Sequence, residues 1–298
     1  MPASAPGRSA PRSPVGTHLP VGKGLVAGAL AQAEEIGAET LQVFLGNPRG
    51  WAPSKGDPAA DAEFARVCRE RGLPVFVHTP YLVNLGSPNA TTYERSVAAV
   101  AHNLLRAVRV GAQGVVVHTG SCVDDGGYDT ALRQIREGLL PVLDVLDDES
   151  PWLLLEPTAG QGRSLCGKVA DLEPYLEVLE HHPRVGVCLD TCHAFAAGEP
   201  LDEPGGAADT IDRLVGLVGA DRVRLIHAND SKDPRGSLRD RHEKIGQGRI
   251  GEAAFAELMA HPALAHVPFV LETPGSRKTD DPDIPLLKRL RKEAGTRP

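Results

Sequence analysis

Along the chain, short runs of apolar and β-branched residues alternate with longer segments whose apolar positions recur at helical spacing. The runs are VGTHL (15–19), TLQVFL (40–45), PVFVH (74–78), GVVVH (114–118), WLLLE (152–156), VGVCLD (185–190), RVRLIH (222–227) and PFVLE (268–272). Most are continuously apolar, as strands buried on both faces of a parallel sheet are. Helical spacing marks the segments 25–37, 93–111 and 131–146 among others, and Gly37, Gly72 and Gly111 sit where helices would be capped. Strand and helix alternating this way predict an α/β protein, a closed (β/α)8 TIM barrel. A doubly wound open sheet is the competing architecture, but no G-x-G-x-x-G turn follows the first run. Residues 1–14 are rich in Pro, Ser, Ala and Arg without periodicity and are expected to be a disordered extension; 15–298 reads as one domain.

Composition narrows the class. The 298 residues are 41% hydrophobic and 24% charged, which excludes disorder of the whole chain. No apolar run reaches the length that spans a bilayer, and no apolar core follows the N-terminal residues as in a signal peptide. Five cysteines, an odd number, argue against a disulfide scaffold and for a reducing compartment. A cytoplasmic protein is the expectation, and nothing in the chain requires more than a monomer.

The chemistry gathers at the ends of the predicted strands. Runs three to eight end in His78, His118, Glu156, Asp190, His227 and Glu272. In a closed barrel those ends share the rim where active sites are built, so the six side chains must converge. Loops add His193, three residues after Asp190, and Asp240 and His242 in R-D-R-H. Alone, a strand-end His or carboxylate is more often structural or a helix cap. Five imidazoles and four carboxylates at one mouth without cations would be electrostatically costly, and divalent metal ions remove that cost. Imidazole and carboxylate without thiolate suit zinc, and also manganese, iron or cobalt. Nine ligands suggest three metals, an arrangement suited to phosphoryl displacement. Cys122, Cys166, Cys188 and Cys192 are read as small buried residues rather than ligands.

The formal net charge of -7 by itself disfavours a nucleic-acid partner, but three divalent ions would bring it to about -1 and make the mouth locally cationic. Residues 227–251 carry Lys232, Arg235, Arg239, Arg241, Lys244 and Arg249 among glycines, and are expected to form a functional basic lid.

Several ordered motifs resemble the endonuclease IV (deoxyribonuclease IV) family of apurinic/apyrimidinic endonucleases. They are FLGNPRGW (44–51), HTPYLVNLGSP (78–88), VVVHTGS (115–121), EPTAGQG (156–162), VGVCLDTCHAFAAG (185–198), HANDSK (227–232), RDRHEKIGQGRIG (239–251) and LETP (271–274). The resemblance covers nearly all of the chain from residue 15. It implies three zinc ions, with manganese possible at one or more sites. His78, His118 and bridging Glu156 would hold the first; Asp190, His227, Glu272 and the shared Glu156 the second; His193, Asp240 and His242 the third. It further implies hydrolysis of the phosphodiester 5′ to an abasic site in duplex DNA, leaving a 3′-hydroxyl and a 5′-deoxyribose phosphate. Glu156 and Glu272 would be the catalytic carboxylates, and Arg49, Tyr81 and Leu82 would enter the DNA at the flipped-out sugar. Two positions depart from the family pattern: Pro157 replaces an asparagine and Thr119 a common proline.

Two other readings stay open on sequence. A sugar isomerase or epimerase would use the same barrel with one or two metals. A damage-binding protein would grip abasic DNA without cutting it.

Overall fold

The computed structural model describes residues 13–123 and 127–295. Eight parallel strands close into a barrel: β1 (Val15–Leu19), β2 (Leu41–Val43), β3 (Val75–His78), β4 (Gly114–His118), β5 (Trp152–Glu156), β6 (Val185–Asp190), β7 (Val223–His227) and β10 (Phe269–Leu271). A two-stranded antiparallel ribbon, β8 (Asp230–Ser231) with β9 (His242–Glu243), stands above β7. Around the barrel lie α1 (Ala31–Glu35), α2 (Pro58–Arg71), α3 (Ala90–Val110), α4 (Tyr128–Leu143), α5 (Leu172–Val178), α6 (Thr191–Ala197), α7 (Gly206–Val218), α8 (Glu252–Ala260) and α9 (Asp283–Gly295). Among the described residues no helix is long and apolar enough to cross a membrane.

The (β/α)8 expectation and all eight runs therefore hold, with small differences at their ends. The segment 25–37 enters through a π-helical turn, Leu25–Leu30, before α1. Helix α3 starts earlier than its periodicity suggests because the Asn89 side chain caps it, accepting from Thr92 N at 2.9 Å. Gly72 and Gly111 end α2 and α3 in the left-handed conformation, φ 63° and 68°.

The N-terminal expectation divides. Residues 1–12 lie outside the described residues. Ser13 and Pro14, assigned to the same extension, are instead docked. Ser13 is buried and donates through Oγ to Leu264 O at 2.8 Å, and Pro14 O accepts from Phe269 N at 2.7 Å.

The core has two layers. The larger fills the space between strands and helices. The smaller lies inside the barrel and consists of Phe76, Val116, Leu154, Cys188, Leu225 and Val270. Each of these sits two residues before one of the six rim residues, His78, His118, Glu156, Asp190, His227 and Glu272. Strand side chains alternate faces, so residues two apart point the same way. An apolar plug inside the barrel and a polar rim above it thus follow from one period-two pattern.

Candidate metal centre

Strand register brings the rim residues together in pairs. His118 lies opposite Glu156 across β4 and β5, and Asp190 opposite His227 across β6 and β7. Glu156 is buried and central. Its Oε2 lies 3.2 Å from His78 Nε2 and 3.3 Å from His118 Nε2, while its Oε1 lies 2.9 Å from His227 Nδ1. On the second side, His227 Nδ1 also lies 3.5 Å from Glu272 Oε2 and 3.9 Å from Asp190 Oδ2. On the third, Asp240 approaches His193 Nε2 at 3.2 Å and His242 Nε2 at 3.0 Å. All nine residues singled out in the sequence therefore meet at one mouth, in three neighbouring groups.

The groups overlap the expected triads. His78, His118 and Glu156 can direct one ligand atom each at a common point, and so can Asp190, His227 and Glu272. Near the third position the converging sets are Asp190, His193 and His242, and Cys192, Asp240 and His242.

Main-chain carbonyls set the orientation of three imidazoles. Nδ1–H of His78 donates to Thr79 O at 2.7 Å, that of His193 to Pro157 O at 3.1 Å, and His242 Nδ1 faces Glu272 O at 3.4 Å. Each thereby turns Nε2 inward, the arrangement by which metal-binding histidines are fixed. His227 is reversed, with Nε2 on Gln42 Oε1 at 2.9 Å and Nδ1 inward. Asp190 caps α6 by accepting from His193 N at 3.0 Å, and Asn229 Nδ2 donates to its other oxygen at 2.7 Å.

This donor set fits divalent ions. The Nε2 atoms of His193 and His242 are buried without a hydrogen bond, although carboxylate oxygens stand close by. Buried polar atoms left unpaired are rare, and ligand atoms aimed at a shared cation account for these two. Protons take the place of such charge in the metal-free protein. Burial opposes the imidazolium, but Asp190 and Asp240 outweigh it and push His193 up to about 10 and His242 up to about 9. Burial likewise opposes ionisation of Glu156 and Glu272, yet the facing imidazoles hold both below the ordinary carboxylate range.

Four contributors were not legible as site residues. His18 and Gln42 are paired across β1 and β2 and both reach Glu272 Oε1, at 3.2 and 2.9 Å. Asn229 joins Asp190 to the backbone N–H of Glu272. Arg277 lines the mouth. The inward alternation of β1 and β2 was the available signal for the first two.

The departures at Pro157 and Thr119 leave the ligands in place. Pro157 supplies the carbonyl that holds His193. Thr119 N donates to Glu156 O at 3.1 Å, a bond proline could not make.

The candidate DNA-contacting residues share one rim. Arg49 is exposed on the β2–α2 loop; Tyr81 is 56% and Leu82 37% exposed after β3. Tyr81 N donates to Pro48 O at 3.0 Å, so the two loops abut, and the Tyr81 ring packs against Phe44 at 5.1 Å. The loop 227–251 differs from a free basic lid. Arg235 pairs with Asp202 and Glu203, Arg239 and Arg241 with Asp233, and Lys244 with Asp281. Buried Asp230 gathers the backbone N–H groups of Gly246, Gly248, Ile250 and Gly251 on its carboxylate. Its cations are largely neutralised, and the loop is built to present Asp240 and His242.

A closed barrel with several candidate metal-ligand clusters at its C-terminal rim is matched over residues 30–294 by the family described as xylose isomerase-like TIM barrel. The probable endonuclease 4 of Streptomyces avermitilis is 51% identical over 98% of this chain and 94% of its own. That of Nitratidesulfovibrio vulgaris is 39% identical over 92% and 98%. The crystal structure of endonuclease IV from Thermus thermophilus superposes with a TM-score of 0.82 at 33% identity, covering 94% of this chain and 99% of that one. The chain belongs to the endonuclease IV family of TIM-barrel nucleases. A D-tagatose 3-epimerase-like protein, at 17% identity and a TM-score of 0.67, shares the fold alone.

Proposed function

We propose that the chain hydrolyses the phosphodiester 5′ to abasic sites in duplex DNA, with three zinc ions held by the nine rim residues. One observation carries this reading. Glu156 directs one carboxylate oxygen at His78 and His118 and the other at His227, the disposition of a carboxylate shared between two metal positions. His78 and His118 would hold the first ion with Glu156; Asp190, His227 and Glu272 the second with the same Glu156; His193, Asp240 and His242 the third. Manganese could replace zinc at one or more of these positions, given the oxygen and nitrogen donors. When bound, the ions supply hydroxide at neutral pH and neutralise charge on the reacting phosphate.

The chain's own groups do the rest. Glu272, fixed by His18 and Gln42, orients the attacking water and accepts its proton. Water oxygen bonds to phosphorus as the bond from phosphorus to the upstream 3′-oxygen breaks, and that oxygen takes up a proton. The products are a 3′-hydroxyl and a 5′-deoxyribose phosphate. Arg49, Tyr81 and Leu82 stand together to fill the space left by an extruded sugar; an abasic nucleotide is the least costly to flip.

Incubating the protein with matched duplexes, one with a single abasic site and one intact, tests the reading. A nick on the 5′ side of the abasic site alone is expected. Binding of the damaged duplex without a nick would make the protein a damage-binding factor.

A further inference from the structure

Within the described residues lining the mouth there is one Lys or Arg side chain, Arg277, in the loop after β10. Its position is fixed at three points. Nε–H donates to His18 O at 2.9 Å, Gln32 Nε2 donates to Arg277 O at 2.8 Å, and the preceding Ser276 is buried with Oγ 2.8 Å from Thr17 Oγ1. The terminal guanidinium nitrogens have no carboxylate partner among the described residues, unlike Arg235, Arg239, Arg241 and Lys244. An exposed arginine anchored through Nε offers its remaining donors as a preset fork, a geometry matched to phosphate oxygens. Tyr81 stands on the same mouth, on the loop after β3.

We propose that Arg277 binds a backbone phosphate of the DNA strand entering the mouth, beside the phosphodiester that is cut. This rests on the abasic-endonuclease reading above. Apart from Tyr81 and Pro274, the mouth is otherwise lined by imidazoles and the carboxylates of Asp240 and Glu272, so its attraction for DNA depends on metal loading. Arg277 adds a positive charge that does not. It thus selects for an intact sugar-phosphate strand rather than for the isolated abasic sugar.

The test compares the zinc-loaded protein with Arg277→Ala and Arg277→Lys in steady-state incision, at several salt concentrations, with zinc content and Tm recorded for each. Arg277→Ala is expected to raise KM on the order of tenfold with kcat nearly unchanged. The log–log salt slope of kcat/KM should become shallower by about 0.9, the signature of one lost phosphate contact. Arg277→Lys should restore most of that slope, since it keeps the charge. An unchanged slope would overturn the proposal. So would a loss confined to zinc content or Tm, which would make Arg277 a support for His18. If the unsubstituted protein cuts no abasic duplex, the functional reading itself has failed, and that result is read before either variant.

Discussion

Gln42 Oε1 and His227 Nε2 lie 2.9 Å apart, and this contact decides which imidazole nitrogen faces the cluster of Glu156, Asp190 and Glu272. An amide oxygen can only accept, so Nε2 carries the proton and Nδ1 turns toward Glu156, Asp190 and Glu272. The same amide donates from Nε2 to Glu272 Oε1. One uncharged residue on β2 therefore orients two of the residues proposed to hold the second metal ion.

Gln42→Leu removes both bonds, together with the contact of Gln42 Nε2 with His18 Nδ1 at 2.9 Å, and leaves the buried His227 N–H unpaired. Metal affinity at one position should fall by about 10- to 100-fold, the usual effect of losing such a supporting bond. Competition with a chromophoric chelator reads this directly. Affinity equal to that of the unsubstituted protein would mean that His227 needs no such support.

Glu156→Gln should abolish incision and lower metal content, because it removes charge shared by two positions. Glu272→Gln should also abolish incision but retain more metal, since it serves one position. Both should keep the far-ultraviolet circular dichroism of the barrel. Full activity in either would contradict the assignment of that carboxylate.

Removal of metal should make stability fall with rising pH. In the metal-free protein His193 and His242 titrate near 10 and 9, above the ordinary histidine value of about 6.5. Their contribution is fully present below about 6.5 and is lost as pH rises through 9 to 10. Tm of the chelator-treated protein should decline across that window, while zinc added at neutral pH should release protons. A flat Tm from pH 6.5 to 10 would show that these imidazoles are not held as cations.

The loop bearing Arg49 hangs on a buried ion pair. Arg106 Nη2 lies 2.9 Å from Asp61 Oδ1, and Arg106 Nη1 donates to Leu45 O at 2.7 Å. Asp61→Ala strands the arginine in the interior and should cost about 3–5 kcal/mol in denaturant unfolding. Arg49→Ala, on the exposed tip, should weaken binding to abasic DNA with little change in Tm or zinc content. A fall in zinc content for Arg49→Ala would place that residue in support of the metals instead.

The sequence exposed the barrel because each strand is a short apolar run, and most of the site because six consecutive runs end in a titratable residue. His18 and Gln42 escaped notice because His18 is followed by Leu19 within its strand and Gln42 sits uncharged inside an apolar run. The loop 227–251 looked freely basic because the partners of Arg235 and Lys244, Asp202, Glu203 and Asp281, lie outside it in sequence, and nothing local shows that Asp233 within it folds back onto Arg239 and Arg241. Arg277 was obscured for the converse reason: nothing local says that a loop arginine has no acid to pair with.

The central claim is that nine converging ligands hold metals that hydrolyse DNA at abasic sites. Its most direct test counts metals and scores cleavage on one preparation, using a duplex with a single tetrahydrofuran analogue, which cannot undergo β-elimination. About three metal ions per chain, as the three ligand sets require, together with a nick on the 5′ side, is the predicted result. One or two metals per chain, or full loading without a nick, would contradict it.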